Sequence, residues 1–210
     1  MFSISPNQQT STAKKFYAGL VILDACGVDT PKLVANLINN HPLAGLPTLH
    51  QAIAYGIYLH QHDYIPDWLI SPSFSEPEII FLQAIALNFK TDYPLDVDRY
   101  CLQLAKTCER LSIGLELQKI HLLLSKGHSV GTAQYKISDP ILLGIYLFLY
   151  SPYSWQNCKN MECQYHLGTT VILVASSLIR IFLGSVSPDK TTVKEASDRL
   201  YKYWSGYFNF

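Results

Sequence analysis

The chain predicts an all-α fold, an irregular bundle of helices, on three observations. Polar caps followed by proline punctuate it at intervals, and apolar residues between those breaks recur at helical spacing. Neither alternating β patterning nor a repeat of fixed period is present.

Each element follows from its own signals. An apolar first segment predicts a helix over 13–25, with Asp24 expected at its end or in solvent. Asp29-Thr30-Pro31 sets a polar cap before a proline at the first helical position and opens a helix over 30–40. Across 48–61, Ile53, Ala54, Ile57 and Tyr58 share one face. A helix over 77–89 follows the Pro-rich stretch 65–77. Asp92, Asp96 and Asp98 then precede a helix, where acids suit the positive end of its dipole. Helices over 97–111 and 114–126, joined at Gly114, place Leu102, Ala105, Cys108, Leu111, Leu115 and Leu122 close to one stripe. Ser138-Asp139-Pro140 opens a helix over 139–150, and Ser151–Glu162 reads as a turn-rich linker. Helices over 167–184 and 191–205 are separated by Ser187-Pro188-Asp189. Residues 1–12 are expected to be a flexible N-terminal segment and 13–210 a single domain.

Composition narrows the function classes. Of 210 residues, 49% are hydrophobic and only 15% charged, and 16 basic residues cancel 16 acidic ones. Such a surface has no electrostatic footprint for nucleic acid or an anionic membrane. The longest apolar runs, 141–150 and 171–184, fall short of the ~20 residues that span a bilayer. Cys26, Cys101, Cys108, Cys158 and Cys163 are odd in number and no secretory leader precedes them, so reduced thiols and a cytoplasmic location are expected. A low charge gives little colloidal repulsion, which favours self-association or a protein partner. Tyr201, Trp204 and Tyr207 near the C-terminus are the candidate anchors; the competing arrangement folds them back onto the bundle.

Chemistry-bearing motifs are few. Cys158, Cys163 and His166 lie within nine residues and combine thiol with imidazole, which suits zinc, although a fourth ligand would have to come from elsewhere. The alternative is an ordinary reduced loop. His60, His62 and Asp63 offer a ligand pair or a base with its carboxylate, or simply cations at a helix end. His121 lies on an amphipathic helix and is expected at a core boundary. No G-x-S-x-G elbow and no Gly-rich phosphate loop is present, so no cofactor is implied.

One stretch resembles a known family. His166-Leu167-Gly168-Thr169-Thr170, continuing through Ala175, Ser176, Ser177 and Leu178 to Gly184, is similar to the G-D-T-D-T motif and small-residue helix of the ADP-ribosylglycohydrolases. Asp139–Trp155 is similar to the helix and turn before that motif, and Leu200–Tyr207 resembles the end of a short subgroup. Farther upstream, Asn40-His41-Pro42 and Leu49–Leu59 are similar to a helix-start region of the family, so the likeness runs over 40–210. It implies that family's helical bundle, in which aspartates hold a pair of divalent ions that orient ribose hydroxyls and activate water. Here the two motif aspartates fall on Leu167 and Thr169, and no acid pair stands near the N-terminus. The resemblance therefore implies no catalytic residue and no metal. It implies a non-catalytic binding, scaffold or regulatory subunit, with an ADP-ribose-like ligand as one possible occupant. The alternative is an active metal-dependent hydrolase of ADP-ribosyl or related N/O-glycosidic bonds, using acids placed elsewhere.

Overall fold

Six of the described helices start where a side chain accepts from a backbone N–H of the first turn. The computed structural model describes residues 12–39, 41–43, 45–59, 74–108, 111, 114–184 and 191–205. Among them are eleven helices and no strand. They are α1 (Thr12–Ala25), α2 (Thr30–Ile38), α3 (Thr48–Leu59), α4 (Glu76–Lys90), α5 (Val97–Thr107) and α6 (Gly114–Ser125). After these come α7 (Val130–Lys136), α8 (Pro140–Tyr150), α9 (Trp155–Tyr165), α10 (Thr169–Leu183) and α11 (Thr191–Trp204). None is long and apolar enough to cross a membrane.

The caps expected from the sequence are in place. Asp29 accepts from Lys32 N and Asp139 from Ile141 N and Leu142 N, each ahead of a proline in the first turn. Asp96 accepts from Arg99 N and so starts α5. At α4, Ser75 and Glu78 form a reciprocal capping box, and the Glu78 carboxylate also accepts from the Thr48 hydroxyl of α3.

Two helices lie where the sequence reading placed none: α7 between the helices expected over 114–126 and 139–150, and α9 in the stretch 151–162 read as a turn-rich linker. α7 has only seven residues, too few for a visible period, and relies on the Ser129 cap. α9, WQNCKNMECQY, is polar almost all round and buries only Cys158, so it lacks the apolar stripe that marks a helix in a sequence. The stripe drawn through 97–126 also needs correction. Leu102, Leu115 and Leu122 are exposed, while Tyr100, Cys101, Leu104, Leu117, Ile120 and Leu123 face the core. The break between α5 and α6 resets the helical phase, so one stripe cannot be carried across it.

α8, α10 and α4 form the centre, and α8 and α4 are buried along nearly their whole length. α1 lies against α10 and α11, α3 against α4, and the α5–α6 hairpin flanks α4 and α8. Two crossings depend on glycine. A Cβ on Gly144 of α8 would sit 2.7 Å from Val174 Cβ and 2.9 Å from the Val171 carbonyl oxygen of α10. A Cβ on Gly56 of α3 would meet Ile85 Cβ and the Leu82 carbonyl oxygen of α4, each at 2.8 Å. Both obstacles include backbone, so these helix pairs are as close as bare backbone permits.

Candidate functional site

The motif that carries the family resemblance occupies the turn from α9 into α10. His166 takes the left-handed conformation, φ 52°, and ends α9, and its backbone N–H returns to the Glu162 carbonyl. Leu167 is then directed into the core, where it is 6% exposed. Gly168 is the N-cap of α10 and supplies no side-chain acceptor. Thr169, the first helical residue, is exposed, and Thr170 is half-buried. Leu167 and Thr169 thus face opposite environments. Ser176 and Ser177 return their hydroxyls to the Leu173 carbonyl, at 3.1 and 2.7 Å, so α10 satisfies its polar groups internally.

The zinc reading of Cys158, Cys163 and His166 does not fit this geometry. Cys158 is fully buried, whereas Cys163, five residues on, and His166 are exposed. Burial pushes the Cys158 thiol up to about 11, which favours the protonated form that binds metal poorly. Among the described residues, no group of three His, Cys, Asp or Glu side chains is placed to hold a metal ion.

Two aromatic anchor candidates have neighbours within the chain. Tyr201 and Trp204 of α11 are half-buried, with ring centroids 5.9 and 5.7 Å from Phe16 of α1 and 5.6 Å from each other. These rings close α11 over α1, the fold-back arrangement. Tyr207, like His60, His62 and Asp63, lies outside the described residues. His121 lies at the boundary of the fold and meets Asp98 across the α5–α6 hairpin, Nε2 to Oδ1 2.8 Å.

The densest polar chemistry is one that sequence reasoning missed. Lys15 of α1 is only 4% exposed, and its Nζ donates to the carbonyls of Asn88 at 2.6 Å and Thr91 at 2.9 Å. It thus closes the C-terminus of α4, where free carbonyls and the dipole favour a cation. Desolvation nevertheless dominates and lowers its amine from 10.5 to about 8, with Asp92 pulling the other way. Asn88, fully buried, donates from Nδ2 to the Leu178 carbonyl of α10 at 3.0 Å. The Tyr100 hydroxyl of α5 shares its proton between the Ala84 carbonyl at 2.8 Å and Asn88 Oδ1 at 2.9 Å. The end of α4 is therefore tied by side chains to α1, α5 and α10. Tyr100 also forms the floor of a cleft of about 150 Å³ at the α4–α5 junction, walled by Lys90, Asp92, Asp96, Arg99 and Gln103. Lys14-Lys15 before Phe16 was the available signal, a basic pair at the edge of an apolar run, but nothing local says which lysine turns inward.

A second, shallower groove of about 270 Å³ runs between α2 and α11, lined by Pro31, Val34, Thr192, Glu195, Ala196 and Arg199. Comparison with known proteins finds no matching family model, no matching curated relative and no matching solved structure.

Proposed function

We propose that this chain is a non-catalytic helical binding or scaffold protein of ADP-ribosylglycohydrolase descent. The observation that carries the reading is the turn from α9 into α10. Its residue order follows that family's metal motif, but the two acid positions hold a leucine that packs in the core and a threonine that faces solvent. A hydrolase of this type needs carboxylates to hold hard divalent ions beside the ribose. Leu167 contributes apolar surface to the bundle instead, and Thr169 spends its position on starting α10. The α9–α10 turn then serves packing, and binding falls to the surface features of the bundle.

The test is direct. The chain is incubated with Mn²⁺ and, separately, with ADP-ribosylated arginine or O-acetyl-ADP-ribose. The expected outcome is no saturable Mn²⁺ site by calorimetry and no released ADP-ribose. Micromolar Mn²⁺ binding at one or two sites per chain, or turnover that needs the metal, would overturn the reading in favour of an active hydrolase.

A further inference from the structure

Trp155 opens α9, and Arg180 stands in the last turn of α10, so antiparallel packing of the two helices brings these residues together. The Arg180 guanidinium carbon lies over the Trp155 ring at 4.7 Å from its centroid. Lys159, one turn beyond Trp155, sets its Nζ over the same ring at 5.3 Å. Two positive charges therefore converge on one indole, within about 10 Å of each other and about one Debye length at 0.1 M salt. Neither has a carboxylate within ion-pair distance among the described residues, and no acceptor takes a hydrogen bond from the half-buried guanidinium there. Glu162, one turn farther along α9, makes ion-pair contact with neither. The start of α9 and the end of α10 lie side by side, so their dipoles offset and the side chains decide the local potential.

Cation–π contact accounts for part of this. It leaves unexplained why two cations share one ring with no counter-charge among the described residues. Stacking engages the flat face of a guanidinium and leaves its in-plane N–H groups unspent, in the fork geometry that grips two oxygens at once. Lys159 brings a second positive charge to the same ring. The pair presents two positive charges, which matches the roughly −1.5 to −2 of a phosphate monoester at neutral pH and exceeds what one carboxylate could balance.

We propose that Trp155, Arg180 and Lys159 form a binding site for a phosphoryl group carried by a small molecule. Arg180 makes the bidentate contact, Lys159 supplies the second charge, and Trp155 holds the guanidinium flat. The site stands near the opposite end of α10 from Leu167 and Thr169, about 16 Å away at 1.5 Å per residue. Its existence does not depend on the family reading.

The experiment titrates inorganic phosphate into the full chain at constant ionic strength and follows the Trp155 indole N–H and the Arg180 Nε–H by NMR. Saturation with a Kd below about 1 mM is expected. K159Q and R180Q should each weaken it about ten-fold or more, and R180K should also weaken it, since charge without the fork is not enough. Glycerol phosphate binding tighter than inorganic phosphate would assign an ester as the ligand, and the reverse order would assign free phosphate. Malonate binding as well as phosphate would overturn the phosphoryl assignment. So would shifts that do not saturate, or that survive in K159Q, a change at an exposed position that leaves the fold intact.

Discussion

Lys15→Met removes a buried amine whose proton is linked to folding. In the native protein burial holds that amine near 8 against an ordinary 10.5. Between those values the unfolded chain keeps a proton that the native chain has released, so this group makes stability rise with pH. The whole window is worth about 3 kcal/mol at about 1.4 kcal/mol per pH unit, and the part between pH 7 and pH 9 about 1 kcal/mol. Three buried thiols act in the opposite sense. Burial raises Cys101 to about 12 and Cys108 and Cys158 to about 11, from 9.0. Their stabilising term is present in full well below pH 9 and is lost as pH climbs from 9 through about 11 for Cys108 and Cys158 and about 12 for Cys101. At pH 9 each thiol is half-ionised in the unfolded chain, which costs a few tenths of a kcal/mol apiece, or about 1 kcal/mol together. The two effects offset in the wild-type protein, whose stability should be nearly level from pH 7 to 9. K15M retains only the thiol term and should lose about 1 kcal/mol over that interval. Urea denaturation under reducing conditions, followed by circular dichroism at pH 7, 8 and 9, measures both curves. Parallel curves for the two proteins would show that Lys15 does not lose its proton early on folding, and the argument from its burial would collapse.

The remaining predictions use the same structure. Leu167→Asp should lower stability by several kcal/mol because it buries an unpaired carboxylate, whereas Thr169→Asp should be neutral or raise the melting temperature slightly, since an exposed acid in the first turn of uncapped α10 meets the helix dipole at about 0.3–1 kcal/mol. Equal losses from the two would show that both positions are buried. Gly144→Ala should destabilise despite the ~1 kcal/mol that alanine adds to a helix, because its Cβ would press on the Val171 carbonyl and Val174, an overpacking cost of about 1–3 kcal/mol; Gly168→Ala, with open space around it, supplies the control, and identical melting of the two variants would refute the close α8–α10 approach. Tyr100→Phe removes the only proton offered to Asn88 Oδ1 by Tyr100 and should cost about 1–3 kcal/mol in denaturant titration; a change below a few tenths would mean that water replaces the hydroxyl.

What the sequence made legible follows from how local each signal is. The Asp29 and Asp139 caps read correctly because a cap is decided within three or four residues, while Asp96, read only as an acid suiting the helix dipole, turns out to be the cap of α5. α9 was missed because its signal is tertiary: a polar helix held on the bundle by one buried cysteine with Trp155, Met161 and Tyr165 packed beside it. Leu102, Leu115 and Leu122 were drawn inward because a stripe extrapolated across the α5–α6 break loses phase, and only the structure shows where the helix stops. The burial of Lys15 is not written near Lys15 at all. It is set by carbonyls 73 and 76 residues away, which no local pattern encodes. The split between Leu167 and Thr169 was half legible: a leucine beside a glycine points inward readily, but the solvent-facing turn at Thr169 depends on where His166 ends α9.

The placement of α1 has a consequence for how the chain is made. Phe16 packs edge-on against Tyr201 and at a tilt against Trp204, and Gly19 lies beside both Ile57 and Ile181. α1 is the first of the described helices to leave the ribosome, yet α10 and α11, the helices that cover it, are the last. At about 5–20 residues per second, its apolar face waits roughly 10–40 seconds for those partners during synthesis. During that interval α2, α3 and, through Phe89, α4 are the described helices available to shelter α1. Until α10 and α11 are made, the part of α1 that they cover lacks those partners, so chaperone demand and loss to aggregation should track translation speed more than the stability of the finished bundle.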